Sequence, residues 1–266
     1  MHNSQIYIKK SVLSIQNQDL KDLEIILVND FSTDNTSNII EEIKKLDIRI
    51  KILNNKKNMG TLYSRSIGSL YSRGKYIFPL DSDELVLNKD IFDILYNETK
   101  NEKIDIVLFK SIFVQKNFNN FFDLKYLSEH RGHIKKNYFL KQPKLGDYAI
   151  GSVVIYGKFI KTKLYKKSII AYGKLRYSYY LITYEDSIIN YIIHQYAKTS
   201  YFIIKYGLLI LILPISKEKK ILRRKRFIWY LKYLEVLFEF SRNNFKSKLF
   251  VISNIYILVS KKCYQM

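Results

Sequence analysis

The sequence contains very little cysteine, proline and glycine. A single cysteine, Cys263, rules out an internal disulfide and a thiolate cluster, and it is consistent with a reducing compartment. The presence of only 3 prolines and 9 glycines, together with an aromatic content of 15%, argues against a disordered chain. A chain of 266 residues can bury a sizeable core in one large or two small domains.

Long apolar segments are also missing. The apolar run from Tyr206 to Ile215 is too short to cross a bilayer, which takes about 20 residues. No secretory signal is recognisable ahead of Asn3. We therefore expect a cytoplasmic protein, with peripheral association with a membrane as an open alternative.

Acidic residues are outnumbered, since 45 lysines and arginines face 24 aspartates and glutamates, which gives a formal charge of +21. The most basic run, residues 217–226, precedes an aromatic segment with helical spacing. Such a run can bind anionic lipid headgroups, or it can form a solvated surface. None of the familiar nucleic-acid-binding motifs is legible, so no nucleic acid is expected as a partner. A basic adaptor for membranes or nucleic acid remains an alternative function.

The segment Tyr76 to Glu84 combines an apolar run with a cluster of acids. Five apolar residues predict a strand that is covered on both faces, and Asp81, Asp83 and Glu84 follow where open α/β sheets bind ligands. Carboxylate oxygens suit Mg²⁺ or Mn²⁺, and substrate phosphates commonly complete the coordination of these ions. An Asp-x-Asp sequence also simply ends many strands, so this motif alone does not decide the function.

Strands and helices alternate through the first part of the chain, which predicts a parallel sheet covered by helices. No Gly-x-Gly-x-x-Gly follows a predicted strand, which disfavours a dinucleotide-dependent oxidoreductase. The predicted strands are 24–30, 48–53, 76–80 and 104–109, and the predicted helices are 36–46, 61–72 and 88–98.

Several short segments, in this order and at this spacing, resemble the inverting nucleotide-sugar glycosyltransferases of family 2. They are Ser11 to Gln18, Val28 to Asp34, Asn58 to Gly60, Ser64 to Gly68 and Asp81 to Glu84. The resemblance implies a GT-A-like α/β fold, with a Rossmann-like, mostly parallel sheet and helices on both faces. It further implies three regions: a nucleotide-sugar-binding half (1–111), an acceptor-side half of the same domain (112–204) and a basic, mostly helical extension (205–266).

The resemblance implies a role for four residues that would bind a nucleoside-diphosphate sugar, foremost a UDP-sugar. Asp30 would contact the base, Arg65 the base or phosphate, Asp81 the ribose, and Asp83 a Mn²⁺ or Mg²⁺ ion. These roles suit the residue types, because carboxylates accept hydrogen bonds from ribose hydroxyls and a guanidinium pairs with phosphate oxygens. An arginine on a helix is also commonly a solvated surface charge, and this alternative stays open for Arg65.

The pair Glu185-Asp186 precedes an apolar helical pattern. Acids at the start of a helix are favoured by its dipole, which would suffice to explain the pair. The resemblance implies that Asp186 is the general base, with Glu185 as its neighbour. The implied reaction, in carbohydrate biosynthesis, inverts the anomeric carbon and moves the sugar to a hydroxyl of a carbohydrate, lipid-linked or protein acceptor.

The chain departs from the family pattern at its start. Family members begin with an apolar strand that ends in Pro-x-Tyr-Asn, whereas this sequence starts just after that point. We expect either another segment in that place or a gap in the sheet, and the gap favours a catalytically impaired nucleotide-binding relative as an alternative function. Two smaller departures are Asn29, where the family often has Asp, and Phe31, where it often has Gly.

Overall fold

The computed structural model describes residues 1–100, 104–115, 121–123, 132–134, 157–174 and 185–212. The helices are α1 (Ile8–Gln16), α2 (Thr36–Leu46), α3 (Thr61–Tyr71), α4 (Ile91–Lys100), α5 (Thr162–Lys174) and α6 (Glu185–Tyr196). The strands are β1 (Ile25–Asn29), β2 (Ile50–Asn54), β3 (Tyr76–Ile77), β4 (Glu84–Val86), β5 (Ile106–Gln115), β6 (Phe121–Asp123), β7 (Gly132–Ile134), β8 (Lys158–Lys161) and β9 (Ser200–Ile212).

The strands β1 and β2 form a separate two-stranded parallel sheet. Alternate residues of β1 point to opposite faces, as they must in any strand. Ile25 and Leu27 pack with α1 and α2, whereas Val28 approaches Gly68 of α3 on the other face. A β-carbon on Gly68 would lie 3.1 Å from Val28 Cγ2, so this glycine allows α3 to sit close to the sheet.

The larger sheet has seven strands, and its central order is β3, β8, β5, β9, β4. Only β5 and β9 are parallel among its described pairs, and the other pairs are antiparallel. The expected α/β class is confirmed, but this sheet is mixed rather than mostly parallel. One reason is β8, which lies between β3 and β5 and is antiparallel to both.

Helices cover both faces of the larger sheet, as expected. In β5, Ile106 and Leu108 face a core shared with α5 and α6, whereas Val107 and Phe109 face a core shared with α4. All four side chains are buried, and full burial of such a side chain contributes about 1.5–3 kcal/mol. The tight packing of α5 against α6 and of α3 against α5 positions the candidate site described below.

A cavity of about 980 Å³ lies between β1 and β3, and residues of both strands line it. Across the described residues, no strand lies between these two, and the strands fall into two separate sheets there. At one end of the cavity, the Glu24 carboxylate accepts hydrogen bonds from the backbone N–H groups of Arg73 and Gly74, the second at 2.8 Å.

Met1 lies at the other end of the cavity, beside the edge of β1 that does not pair with β2. The terminal ammonium donates to the carbonyl of Val28 at 2.9 Å, and the carbonyl of Met1 accepts from the N–H of Asp30 at 2.8 Å. This is the bonding pattern of a parallel neighbour. Burial lowers the pKa of the terminal ammonium, and the carboxylates of Asp81 and Asp30 oppose this shift.

Both predicted region boundaries fall inside strands. The boundary after residue 111 lies within β5, and the boundary after residue 204 lies within β9, which pairs with β5 along most of its length. The two predicted halves therefore share one sheet, and residues 205–212, including the apolar run that starts at Tyr206, belong to that sheet. Residues 213–266, predicted as a basic helical extension, lie outside the described residues. Within the described part, no helix has both the length and the hydrophobicity to span a bilayer.

Candidate active site

The acidic segment after β3 is a turn that leads directly into β4. The strand β3 ends at Ile77, earlier than predicted, and Pro79 cannot donate a ladder hydrogen bond that would extend it. The N–H of Asp81 donates to the Glu84 carboxylate at 3.0 Å, and the N–H of Glu84 donates to the Asp81 carbonyl at 3.1 Å. These two bonds hold the turn in which Asp81 and Asp83 line the cavity.

Glu84 is buried beneath this turn, with an exposed fraction of 4%. Burial raises its pKa to about 8, and the neighbouring Asp81 carboxylate adds to the shift. The pKa is raised because a second negative charge is unfavourable where water is excluded. At neutral pH, Glu84 therefore carries little negative charge beneath the turn.

Arg65 on α3 joins two acids that lie far apart in the sequence. Its Nη2 donates to the two carboxylate oxygens of Asp81 at 2.6 and 2.8 Å, and its Nη1 donates to Oδ1 of Asp186. Burial acts to lower the pKa of Arg65, but the carboxylates of Asp81 and Asp186 outweigh it and raise the pKa. The guanidinium is a fixed positive charge between two of the predicted site residues.

The Arg65 side chain is only 15% exposed, so it is not the solvated surface charge that the sequence left as an alternative. It lines the cavity together with Asp81 and Asp83. Its Nε is buried and has no hydrogen-bond partner among the described residues. A buried donor without a partner is costly, so the two carboxylates do not fully compensate the burial of Arg65.

Asp186 lies in the first turn of α6, where the helix dipole favours a carboxylate. Its side chain is 26% exposed. Burial raises its pKa, and the positive charge of Arg65 opposes the shift. A raised pKa makes a carboxylate a stronger proton acceptor than an ordinary aspartate. Glu185 begins the same helix, and its side chain lies outside the described ones.

Two buried side chains that the sequence did not single out interact electrostatically with Asp186. Tyr165 on α5 lines the cavity, and burial raises the pKa of its hydroxyl. Lys158 on β8 donates to Oδ1 of Asn190 at 2.8 Å. The segment Gly157 to Ser168 is rich in lysine and resembles the family's Lys-Leu-Tyr-Lys-Arg pattern, but nothing in it distinguished Lys158 from the more exposed lysines nearby.

Asp30 lies at the end of β1 and is held by neutral donors. Its Oδ1 accepts from the N–H of Met59 at 2.8 Å and from the Asn55 amide at 2.7 Å, and its Oδ2 accepts from the N–H of Gly60 at 2.8 Å. Asp30 is 3% exposed and lines the same cavity as Asp81. The predicted base-binding acid and the predicted ribose-binding acid are therefore brought to one cavity.

The two smaller departures from the family pattern are accommodated next to Asp30. Phe31 has a φ of 58°, in the left-handed region that glycine adopts most easily. A bulky residue held there costs on the order of 1–3 kcal/mol, so the loop keeps a glycine-like backbone despite the phenylalanine. The Asn29 amide donates to Asn54 Oδ1 at 3.0 Å, and its Oδ1 accepts from the N–H of Ser32 at 3.1 Å, which ties this loop to β2.

Within the described residues, no three or more His, Cys, Asp or Glu side chains are grouped to hold a metal by themselves. Asp81 and Asp83, which are two residues apart in the sequence, both line the cavity. This donor set fits Mg²⁺ or Mn²⁺ in the shared form, in which one or two carboxylates bind the ion and substrate phosphates and water complete its shell.

The mixed sheet with helices on both faces, and the cavity at the ends of β1 and β3, define an α/β protein of the GT-A-like class. Residues 1–170 match the family model described as "Glycosyl transferase family 2". The chain belongs to this family, as the motifs in its first part predicted.

Curated relatives are glycosyltransferases by name, and they are longer than the region they share with this chain. An uncharacterized glycosyltransferase of Haemophilus influenzae is 44% identical over 103 residues, which are 39% of this chain and 32% of that protein. The poly(ribitol-phosphate) beta-N-acetylglucosaminyltransferase TarP of Staphylococcus aureus is 31% identical over 185 residues, which are 67% of this chain and 50% of that protein. The matches thus span a third to a half of these relatives.

Solved structures confirm the fold. TarS residues 1–349 of S. aureus in complex with UDP aligns with a TM-score of 0.67 at 18% identity, covering 91% of this chain and 64% of that one. The mannosyltransferase PcManGT of Pyrobaculum calidifontis, in complex with GDP-Man and Mn²⁺, aligns with a TM-score of 0.56 at 12% identity, covering 98% and 73%. At these identities the likeness supports the fold alone.

Proposed function

We propose that this chain transfers a sugar from a nucleoside-diphosphate sugar, foremost a UDP-sugar, to an acceptor hydroxyl with inversion at the anomeric carbon. The observation that carries the proposal is the bonding of Asp81 and Asp186 to the one guanidinium of Arg65 beside the cavity. Membership of a glycosyltransferase family supports the reaction class. The TarS complexes with UDP and with UDP-GlcNAc support the choice of donor.

In the proposed complex, the donor lies in the cavity between β1 and the acidic turn. Asp30 contacts the base and Asp81 the ribose hydroxyls, since carboxylates accept such hydrogen bonds. Arg65 binds a phosphate oxygen, since a guanidinium pairs with phosphate oxygens through its planar set of donors. Asp83 is the residue proposed to hold Mn²⁺ or Mg²⁺, and when bound such an ion supplies positive charge to the diphosphate.

The proposed chemical step is a single displacement. Asp186 takes the proton of the acceptor hydroxyl while that oxygen forms a bond to the anomeric carbon. The bond from this carbon to the diphosphate oxygen breaks, and the nucleoside diphosphate leaves with the electron pair. The raised pKa of Asp186 supports its role as the base, and Glu185 is its proposed neighbour in the site. The acceptor class is a carbohydrate, a lipid-linked sugar or a protein, reached in the cytoplasm or at a membrane surface.

A nucleotide-binding relative without turnover is the second candidate function. The ion pair between Arg65 and the carboxylate of Asp186 favours it. A guanidinium that stays paired with this carboxylate favours its ionised form and so weakens it as a base. The two candidates agree on donor binding and differ only in whether transfer follows.

The deciding experiment measures the release of nucleoside diphosphate from a panel of UDP- and GDP-sugars with Mn²⁺ or Mg²⁺ and simple sugar acceptors. We expect turnover in the unmodified chain and a fall of about 10²- to 10⁴-fold in Asp186→Asn, because general base catalysis contributes that much. Binding of the nucleoside diphosphate should remain within about threefold, since Asp186 acts on the acceptor side. Asp19→Asn, an exposed aspartate outside the cavity, is the matched control.

Three outcomes would count against the proposal. If Asp186→Asn transfers the sugar at the rate of the unmodified chain, Asp186 is not the general base. A product with the donor's own anomeric configuration, read from its proton NMR coupling, would exclude inversion. Metal-dependent nucleotide binding without any turnover would favour the impaired relative, and salt-sensitive binding to anionic vesicles or nucleic acid without nucleotide binding would favour a basic adaptor.

A further inference from the structure

Lys158 is a buried cation on the inner side of the candidate site. It begins β8, the strand between β3 and β5, and its side chain is 1% exposed. Ile160, two residues further along the strand and therefore on the same face, belongs to the core shared with α5 and α6. The cost of burying an ammonium group is several kcal/mol, so a lysine at this place needs compensating partners.

Asn190 is one of these partners, and it connects Lys158 to the helix that carries Asp186. The Lys158 ammonium donates to Asn190 Oδ1 at 2.8 Å, and Asn190 is fully buried. Asp186 and Asn190 are four residues apart on α6, so their side chains lie on the same face, with β-carbons about 5–6 Å apart. The bond therefore anchors α6 to the sheet one turn beyond the candidate base.

Charged and titratable groups on four described parts of the chain interact electrostatically with Asp186. Arg65 comes from α3, Asp81 from the turn after β3, Tyr165 from α5 and Lys158 from β8. Arg65 bonds both Asp81 and Asp186, so its charge is divided between two carboxylates. Lys158 supplies a second positive charge on the interior side.

We propose that Lys158, held by Asn190, is a positioning residue that fixes α6 and keeps the Asp186 carboxylate ionised for proton transfer. The inference rests on the proposed function, in which Asp186 is the base. It assigns a role to a side chain that contacts neither the donor nor the acceptor.

The titration of the two groups supports this role. Burial lowers the pKa of Lys158 to about 7, with Asp186 opposing the shift, and burial raises the pKa of Asp186. In the acidic range where Asp186 takes up its proton, Lys158 is therefore charged. A nearby positive charge favours the ionised carboxylate, so removing it should raise the pKa of Asp186 further. The acidic limb of the rate profile should then move to higher pH.

The test uses two variants and one control. Lys158→Met keeps the length of the side chain and removes the charge. Lys158→Gln also removes the charge but keeps an N–H donor for Asn190, so it should act in the same direction. The control is Lys163→Met, an exposed lysine on α5.

Two readouts are compared, the pH profile of kcat/KM for transfer and the carbon-13 NMR titration of Asp186, assigned by its loss in Asp186→Asn. We expect both midpoints to rise by about one pH unit in Lys158→Met and Lys158→Gln and to stay unchanged in Lys163→Met. Unshifted midpoints, with only the melting temperature changed, would overturn the proposal and leave Lys158 a merely structural residue.

The two readouts separate this inference from the proposed function. Absence of transfer in the unmodified chain would contradict the proposed function. The NMR titration would still test whether Lys158 controls the ionisation of Asp186. If Lys158→Met fails to fold, Lys158→Gln decides the same question, because it removes the charge and keeps a donor for the hydrogen bond that anchors α6.

Discussion

Two acids that line one cavity are held in different ways. Asp30, at the end of β1, accepts hydrogen bonds from two backbone N–H groups and the Asn55 amide. Asp81, in the turn after β3, is held by the guanidinium of Arg65. The first carboxylate is buried and bound by neutral donors, whereas the second is 43% exposed and paired with a charge that it shares with Asp186.

This difference indicates which side of the cavity is fixed and which can rearrange. Backbone amides at Met59 and Gly60 belong to the loop itself, so no ligand can take them away from Asp30 without unfolding that loop. A guanidinium, in contrast, exchanges one oxyanion for another readily, since phosphate and carboxylate offer it similar geometry. We therefore expect Asp30 to keep its place when a nucleotide binds, and the Arg65 pairs to change.

Arg65→Met should have the largest effect on stability. It leaves Asp81 and the largely buried Asp186 without their cation, and loss of one partner of a buried pair costs about 3 kcal/mol or more. Urea denaturation followed by circular dichroism measures the change in the free energy of unfolding. Lys44→Met, which removes an exposed charge on α2, is the control and should change it by less than about 0.5 kcal/mol. A loss below about 1 kcal/mol in Arg65→Met would show that the two acids do not depend on it.

Asp30→Asn should come next, at about 2 kcal/mol. The amide group that replaces one carboxylate oxygen would direct its own N–H toward a backbone N–H, so one buried donor loses its acceptor. The same denaturation measurement applies, with Asp19→Asn as the control. An unfolding free energy equal to that of the unmodified chain would mean that the loop at residues 55–60 does not rely on the charge of Asp30.

Asp47→Asn should have the smallest effect, and it shows what a guanidinium pair does away from the cavity. Hydrogen bonds from Arg49, together with one from Gln16, hold the pKa of Asp47 well below its ordinary value, although burial opposes this. Because the pKa is lower in the folded state, this stabilisation is present above the unfolded value of about 4 and is lost as the pH falls below it.

We therefore expect Asp47→Asn to lower the free energy of unfolding by about 1 kcal/mol at neutral pH and by less at about pH 3. Nucleoside-diphosphate binding should not change, in contrast to Arg65→Met. A variant whose deficit grows toward acidic pH would contradict the sign of the shift.

Local patterns in the sequence predicted the first part of the fold well. Apolar runs bounded by turn residues marked β1, and helical spacing with Gly60 ahead of it marked α3 at Thr61, where the helix begins. The position of β8 could not be predicted in this way. Its insertion between β3 and β5 depends on pairing between residues 76–77 and 160–161, and no local periodicity encodes a pairing over that separation.

The candidate site was predicted through motifs rather than through geometry. Sequence motifs identified Arg65, Asp81 and Asp186 separately. Only the packing of α3 on α5 and α6 places both acids at the guanidinium of Arg65. Sequence motifs missed Lys158, because the lysines of that segment look alike and burial depends on which face of β8 each one occupies. They also missed the strand that starts at Glu84, since three acids within four residues predict a loop more strongly than a strand.

The central claim is that the acidic turn binds a nucleoside diphosphate through a metal held by Asp83. Calorimetric titration of UDP into the protein with and without Mn²⁺ tests it most directly, on the unmodified chain, Asp83→Asn and the control Asp19→Asn. We predict metal-dependent binding that weakens by about tenfold or more in Asp83→Asn and is unchanged in Asp19→Asn, because the variant loses a charged ligand of the ion. Equal UDP affinity with and without Mn²⁺ in all three proteins would contradict the claim.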